Sequence, residues 1–254
     1  MTAAASNRVA WVTGAGKGIG RALVKRLAQD GWTVAASART PEDLASLEAE
    51  CPPGTVHGIP LDVTDTSATA AVVGSIEAQL GNLEMVILNA GTHMPVSAGD
   101  FATDTFRTLM ETNLMGTVNG LAEVLPRFMA RRGGHVAVVA SLAGYRGLPT
   151  AAASGASKAG LINMCEALRP ELAHAGIKLQ LINPGFVDTP LTGKNDFPMP
   201  FLISAEAAAE RIVAGLKSRT FEIAFPWRFS MLMKTLRLLP DALFFAVTRR
   251  MIER

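Results

Sequence analysis

One glycine-rich stretch near the amino terminus decides the fold of this chain: Thr13-Gly14-Ala15-Gly16-Lys17-Gly18-Ile19-Gly20. A β-branched run at residues 8–12 precedes it and an amphipathic segment follows it, so the stretch is predicted to turn a strand into a helix. Glycines let the backbone turn tightly here, and they let a pyrophosphate approach the helix amino terminus, where unpaired N–H groups attract anions. The stretch therefore predicts a phosphate-binding turn at the first strand-to-helix junction.

The alternation of strand and helix continues outward from this turn. Short apolar runs at 8–12, 33–37, 55–59, 85–88, 135–140 and 178–182 predict strands, and the longer segments between them predict helices, including long ones at 103–130 and 152–175. Strands that alternate with helices form parallel sheets joined by right-handed crossovers. We therefore predict the α/β class: a single Rossmann-type doubly wound parallel sheet with helices on both faces.

Composition and length restrict the class of protein further. The chain has 254 residues, 49% hydrophobic and 18% charged, without a linker-like stretch, so we predict one domain at residues 1–227 with a helical extension of it at 228–254. A net charge of +2 does not suggest a nucleic-acid partner. Cys51 and Cys165 lack the spacing of a disulfide framework or a metal site, which predicts no metal and a reducing, cytoplasmic location.

Three further segments follow predicted strands, in an order that supports the glycine-rich turn. They are Asp62-Val63, Asn89-Ala90-Gly91 and Asn183-Pro184-Gly185-Phe186-Val187-Asp188-Thr189. With the TGxxxGxG spacing of the turn, these segments make the chain resemble the short-chain dehydrogenase/reductase family from residue 8 to about residue 225. The resemblance implies an oxidoreductase that binds a nicotinamide cofactor at the carboxyl ends of the strands.

The resemblance also implies which residues contact that cofactor. Its pyrophosphate is expected at the turn, on Gly14, Lys17, Gly18, Ile19 and Gly20. Its adenine and the adjoining ribose are expected at Asp62, Val63, Asn89, Ala90 and Gly91. Its nicotinamide end is expected at Lys158, Pro184, Gly185, Val187 and Thr189.

The choice between NAD and NADP depends on the end of the second predicted strand. An acidic side chain there would bind the ribose 2′-hydroxyl and repel a 2′-phosphate. The chain reads Ala38-Arg39-Thr40 at this point, and Arg39 can make a charge-assisted, bidentate contact to a phosphate. Lys17 adds a second positive charge, so we expect NADP(H).

Four catalytic positions follow from the resemblance, and three of them carry the family's residues. In the family, hydride transfer between the nicotinamide and a carbonyl carbon is paired with proton transfer by a tyrosine. Asn113, Ser141 and Lys158 match the family's asparagine, serine and lysine. The tyrosine should stand four residues before the lysine, one helical turn away, and that position is Ser154.

The serine at position 154 leaves three interpretations open. Its aliphatic hydroxyl is far less acidic than a phenol of pKa about 10 and cannot simply replace it as general acid. In the first, the tyrosine was replaced deliberately to trap a complex or to alter an activity. In the second, a natural enzyme uses a rewired proton path, through water between Ser154 and Lys158 or through Tyr145. In the third, the protein is a catalytically silent NADPH binder that acts by ligand-gated interaction. For Tyr145, a pocket wall or loop anchor is the simpler interpretation.

An apolar substrate pocket is expected near the nicotinamide end. The family's mobile lid falls at residues 190–203, which here include Leu191, Phe197, Met199, Phe201 and Leu202. The other residues assigned to the pocket are Met94, Tyr145 and Phe186. This composition predicts a hydrophobic ketone, aldehyde or secondary alcohol as the substrate.

Two surfaces are expected to make larger contacts. The helices at 103–130 and 152–175 resemble the pair that forms the family's dimer bundle, which implies a homodimer or homotetramer.

The extension 228–254 has six basic and two acidic residues among leucine, methionine and phenylalanine, the composition of an interfacial amphipathic helix. Packing over the active site or a partner subunit is the simpler interpretation of this extension, and peripheral membrane contact is the alternative.

Overall fold

The computed structural model describes residues 8–194 and 199–252. These residues form a parallel sheet of seven strands in the order β3-β2-β1-β4-β5-β6-β9. The strands of this sheet are β1 (Val9–Thr13), β2 (Thr33–Ala38), β3 (Val56–Pro60), β4 (Leu83–Leu88), β5 (Gly134–Val139), β6 (Ile177–Pro184) and β9 (Glu222–Phe225). Two short strands, β7 (Val187–Asp188) and β8 (Ile203–Ser204), pair with each other beyond the sheet.

Helices cover both faces of the sheet. They are α1 (Gly18–Gln29), α2 (Pro41–Ala49), α3 (Thr66–Leu80), α4 (Thr103–Met110), α5 (Gly116–Arg131), α6 (Ala152–His174), α7 (Ala205–Leu216), α8 (Trp227–Leu238) and α9 (Asp241–Ile252). One face packs on α1, α2 and α7, and the other on α3, α5, α6 and α8. All five residues of β1 are buried because the strand lies between β2 and β4 with helices on both sides.

The structure confirms the predicted doubly wound α/β fold and corrects it in two places. A seventh strand, β9, pairs with β6 at the edge of the sheet, whereas the sequence predicted six strands. The helix predicted at 103–130 is interrupted by a π-helical turn at Glu111–Met115, so that it becomes α4 and α5. The helix predicted at 152–175 is continuous as α6.

A half-buried histidine stabilises the sheet at the start of β5. His135 Nε2 lies 2.8 Å from Gln180 Oε1 on β6, and Gln180 Nε2 donates to the carbonyl oxygens of Gly215 and Thr220. Because Gln180 directs its N–H groups to those carbonyls, His135 must donate its Nε2–H to the glutamine oxygen. Burial, with Lys178 nearby, lowers the pKa of His135 to about 4.

The lowered pKa of His135 predicts a specific loss of stability in acid. Above pH 6.5 the imidazole is neutral in both the folded and the unfolded chain. Between pH 6.5 and 4 only the unfolded chain binds the proton, so the free energy of unfolding should fall by about 3 kcal/mol through this group. Urea unfolding at pH 7 and pH 4 should show this loss in the wild type and a loss smaller by that amount in His135→Asn. Equal losses in the two proteins would contradict the assignment.

The described residues contain neither a candidate membrane span nor a candidate metal site. Between residues 8 and 252, leaving aside 195–198, no helix is both long and apolar enough to cross a membrane. Within the same two segments, no three side chains of His, Cys, Asp or Glu come together as a metal site.

Candidate active site

The glycine-rich turn is packed so closely that side chains would not fit. A Cβ atom on Gly14, where φ is +66°, would lie 2.8 Å from Ala90 Cα, and one on Gly20 would lie 2.2 Å from the Gly14 carbonyl oxygen. Gly18, with φ at +54°, contacts Thr189, whose Cγ2 would be 2.9 Å from an added Cβ. The turn thus contacts both the segment after β4 and the segment after β6, so three of the predicted cofactor segments meet.

The amino terminus of α1 fits the phosphates of a dinucleotide. Lys17 is its N-cap residue and makes no capping bond through its side chain, and the first turn contains no acidic residue. The first-turn N–H groups are therefore left to bind an anion at the positive end of the helix dipole. Ile19 is half-buried and packs on the α1 side of the sheet.

Thr13 and Asn89 fix the turn to the end of β4. The Thr13 hydroxyl oxygen accepts from the backbone N–H groups of Asn89 and Ala90 at 3.0 and 3.1 Å. Asn89 Nδ2 donates to the Thr13 and Gly14 carbonyl oxygens at 2.9 and 3.2 Å. Through these bonds Asn89 supports the glycine-rich turn from the end of β4.

The residues assigned to the adenine lie after β3. Asp62 Oδ1 accepts from the backbone N–H and the hydroxyl of Thr64 at 3.0 and 2.8 Å, which closes a turn there. Val63 is buried and its carbonyl oxygen accepts from Asn119 Nδ2 on α5 at 2.9 Å. The position of the Asp62-Val63 pair is thus determined by its own turn and by α5.

Of the two cations expected to bind a 2′-phosphate, Lys17 already has an acidic partner and Arg39 has none among the described residues. Lys17 Nζ is paired with Asp43 Oδ2 on α2 at 3.3 Å, so part of its positive charge is compensated. Arg39 is exposed and, among residues 8–194 and 199–252, the structure gives it no hydrogen bond or ion pair. A Cβ on Gly16 would lie 3.2 Å from both Ala38 Cβ and Asp43 Cβ, which shows how closely the turn approaches β2 and α2. Sequence reasoning missed Asp43 because its partner stands 26 residues earlier in the chain.

Lys158 lies among the predicted catalytic segments. Its Nζ donates to the Val139 carbonyl oxygen at the end of β5 at 2.9 Å. A Cβ on Gly91 would lie 3.5 Å from Lys158 Nζ and 3.2 Å from Asn113 Oδ1, so these three residues meet. Burial lowers the pKa of Lys158 to about 8, which leaves the ammonium favoured by about tenfold at neutral pH and makes it a much better proton donor than an exposed lysine.

Asn113 lies on the π-helical turn and binds the loop after β4. Its Oδ1 accepts from the Thr92 backbone N–H at 2.7 Å, and its Nδ2 donates to the Thr92 carbonyl oxygen and to Ser157 Oγ, both at 3.0 Å. Ser157 Oγ in turn donates to the Ser154 carbonyl oxygen at 2.8 Å. Sequence reasoning missed Thr92 and Ser157, although each is adjacent to a residue of a recognised motif.

Ser141 and Ser154 lie on the two elements that face each other here. Ser141 begins the 3-10 turn Leu142–Gly144, and its Oγ accepts from the Ala143 N–H at 3.1 Å. A Cβ on Gly144 would lie 2.8 Å from the backbone carbon of Lys158, so this turn packs directly on α6. Ser154 is buried in the first turn of α6, one turn before Lys158.

The segment from Pro184 to Thr192, at and after the end of β6, borders the candidate site and is called the far wall below. Pro184 is the last residue of β6, its carbonyl oxygen lies 3.5 Å from Ser141 Oγ, and Gly185 follows it. Val187 is buried and pairs with Ile203 between β7 and β8. Thr189 is joined to Thr192 by backbone and hydroxyl bonds.

The residues assigned to the substrate pocket are placed in different surroundings. Phe186 stacks on Phe229 of α8 with ring centroids 5.4 Å apart, and Phe201, 47% exposed, lies 6.1 Å from the same ring. Met94 packs on a small cluster that includes Ala153, next to Ser154. Phe197 lies outside the described residues.

Tyr145 acts as a loop anchor in this structure. Its side chain is buried in the core on the α6 side of the sheet, and its hydroxyl donates to Glu222 of β9. Burial, and then the Glu222 carboxylate, raise the pKa of Tyr145 above its usual range. Glu222 also accepts from Asn183 Nδ2 at 2.7 Å and pairs with Lys234 of α8.

Comparisons with known proteins agree with this geometry. The chain matches the family described as short chain dehydrogenase over residues 8–198. It is 39% identical to a Myxococcus xanthus protein named uncharacterized oxidoreductase, with 97% of this chain and 98% of that protein covered. A Staphylococcus haemolyticus protein with the same description is 31% identical, with 83% and 91% covered. Among solved structures, a short-chain dehydrogenase from Streptomyces avermitilis superposes with a TM-score of 0.84 at 27% identity, with 97% and 96% covered.

Fold and site together define a dinucleotide-binding oxidoreductase. The chain belongs to the short-chain dehydrogenase family, which confirms the resemblance drawn from its motifs.

Proposed function

We propose that the protein is an NADPH-dependent oxidoreductase acting on a hydrophobic ketone, aldehyde or secondary alcohol, with a proton-transfer step that is impaired or rewired at Ser154. The observation that carries this proposal is the assembly of Lys158, Asn113 and Gly91 beside a serine that occupies the tyrosine position. The site is built for carbonyl chemistry but lacks the usual acid. NADPH, when bound, supplies the hydride.

Each side chain has a role in this proposal. Arg39 binds the 2′-phosphate, because it lies at the end of β2 and forms no ion pair with any described residue. Lys158 holds a ribose hydroxyl through Nζ, and Ser141 donates a hydrogen bond to the substrate oxygen. Ser154 cannot supply the proton itself at a useful rate, so the proton comes from water that Ser154 and Lys158 orient.

Apolar residues around the far wall support the substrate class. Phe186 and Phe201 border the segment after β6, and Met94 packs near Ser154. An apolar wall with few polar groups favours a hydrophobic carbonyl compound.

A catalytically silent NADPH-binding protein is the second candidate. It is favoured by the serine at position 154 together with the engagement of Tyr145, the only tyrosine of the chain, with Glu222. A phenol held on a carboxylate with a raised pKa is a poor proton donor.

The assembly and location of the protein are also proposals. We propose a homodimer or homotetramer that forms through α4, α5 and α6. This is supported by two exposed methionines, Met115 just before α5 and Met129 within it. We propose a cytoplasmic location, supported by Cys51 and Cys165, which are both free thiols.

The two candidate functions differ in turnover. We expect the protein to bind NADPH and to oxidise it slowly with members of a panel of hydrophobic ketones and aldehydes. Cofactor binding is measured by fluorescence titration and oxidation by the loss of absorbance at the reduced-nicotinamide band. Tight binding without oxidation of any compound, also after Ser154→Tyr, would favour the silent binder; failure to bind NADPH would contradict both candidates.

A further inference from the structure

The two carboxy-terminal helices carry most of the large hydrophobic side chains that are exposed in the described residues. Among the described residues, eight of the thirteen exposed large hydrophobic side chains lie in α8 and α9. Trp227, Leu238 and Phe245 are 69%, 84% and 59% exposed. Scattered exposed apolar residues are ordinary, but a concentration of this kind marks an interaction surface.

Helix α8 has two opposite apolar stripes. Phe229 and Met233 are buried on the inner stripe. The outer stripe consists of Trp227, Met231 and Leu238, which recur at four and then seven residues and therefore share one face. Packing of α8 onto the protein explains the inner stripe and leaves the outer one exposed.

Helix α9 also has a buried set and an exposed set of side chains, which lie on adjacent parts of the helix. Its buried residues are Phe244 and Thr248, one turn apart. Leu243, Val247 and Met251 recur every four residues and are all exposed. Two successive helices thus have an exposed apolar stripe.

The exposed charges beside these stripes are positive. Arg228, Arg237, Arg249 and Arg250 are exposed. The one acidic residue of the described part of these helices, Asp241, is already paired with Arg146. The surface therefore combines apolar side chains with uncompensated cations.

We propose that α8 and α9 form a docking surface for an anionic lipid bilayer. Aromatic and aliphatic side chains enter the interface between headgroups and acyl chains, and the flanking arginines contact the lipid phosphates. A second copy of this chain is a poorer occupant, because a two-fold contact sets the same patch against itself and brings its arginines together.

The inner face of α8 links this surface to the active site. Phe229 contacts Phe186 and Phe201, and its Cδ1 would be 2.8 Å from a Cβ on Gly185. Arg146 binds the carbonyl oxygen of Leu236 at 3.0 Å and lies 3.9 Å from the Phe244 ring centre. A bilayer bound to the outer stripe of α8 would therefore be separated by this one helix from the segments that border the nicotinamide end of the site.

The proposal is tested by flotation of the full chain with two kinds of vesicle. One consists of phosphatidylcholine alone, and the other contains phosphatidylglycerol as about a third of its lipid. We expect binding to the anionic vesicles, and binding about 25-fold weaker for Arg249→Gln with Arg250→Gln, since each cation near the surface contributes about fivefold. The control, Arg211→Gln with Arg219→Gln, removes the same charge from exposed positions of α7 and the loop after it, and should bind as the wild type does.

A second pair of variants tests the apolar stripe. Trp227→Ser with Leu238→Ser should weaken binding at least tenfold, whereas Phe101→Ser, at a position 63% exposed elsewhere, should not. Circular dichroism checks that each variant is folded. Absence of vesicle binding, or equal losses in the tail variants and their controls, would overturn the proposal. The proposal would also be overturned if the variant with Trp227→Ser and Leu238→Ser formed a smaller oligomer than the wild type. That result would assign the surface to a second copy of the chain. None of these outcomes depends on turnover.

Discussion

Replacing Ser154 by tyrosine is expected to raise kcat for a hydrophobic ketone by about 10²–10⁴-fold, the usual contribution of a positioned general acid. The phenol would stand one helical turn before Lys158, on the same face of α6. A nearby ammonium favours the phenolate and so lowers the phenol pKa toward the working pH. NADPH affinity should change much less, because Arg39 and the glycine turn do not depend on residue 154.

Two matched variants separate chemistry from packing at this position. Ser154→Phe adds nearly the same volume without a hydroxyl and should show no gain in kcat. Ser154→Tyr combined with Lys158→Ala should lose the gain, since the lysine both lowers the phenol pKa and holds the ribose. If the wild type turns over its substrate well and Ser154→Tyr slows it, the serine is part of a working proton path and the proposed mechanism is wrong.

Reversing the charge at Arg39 is expected to weaken NADPH binding by about 100-fold while it changes NADH binding by less than about threefold. The substitution Arg39→Glu removes a charge-assisted bond to the 2′-phosphate and puts a repelling carboxylate in its place. Lys17 cannot compensate fully, because its ammonium is paired with Asp43. Titration of both cofactors against the wild type and the variant measures the change in preference.

A second charge reversal serves as the control for Arg39. Arg219→Glu makes the same change of net charge at an exposed position after α7, and it should leave both affinities unchanged. Equal weakening of NADPH and NADH by Arg39→Glu would mean that Arg39 does not contact the 2′-phosphate. The proposed preference for NADPH would then need another source.

The glycine-rich turn could be predicted from the sequence because its residues are local signals. Gly14, Gly18 and Gly20 are required by backbone geometry within a single turn, and such a requirement is visible as a motif. The relation of Ser154 to Lys158 is likewise local, since it is one turn of one helix. Long-range pairs left no such signal: Tyr145 meets Glu222 across 77 residues of chain, and neither residue type points to the other.

The two errors in the fold have the same physical origin. Strand β9 has four residues, too few for a clear period, and its pairing with β6 makes it a strand. The π-helical turn in the predicted helix 103–130 contains Asn113, whose side chain binds the backbone of Thr92. Tertiary bonds at distant positions, rather than local propensity, decided both features.

The attachment of α8 and α9 to the loops of the site affects how the protein can be divided into parts. Arg146, Glu222 and Gly185 each contact this pair of helices, and each belongs to the sheet domain. A chimera that received α8 and α9 from a relative would therefore need matching residues at those three positions as well. The carboxy-terminal helices are therefore not an interchangeable module, and the effects of substitutions on the two sides of this contact are expected to depend on each other.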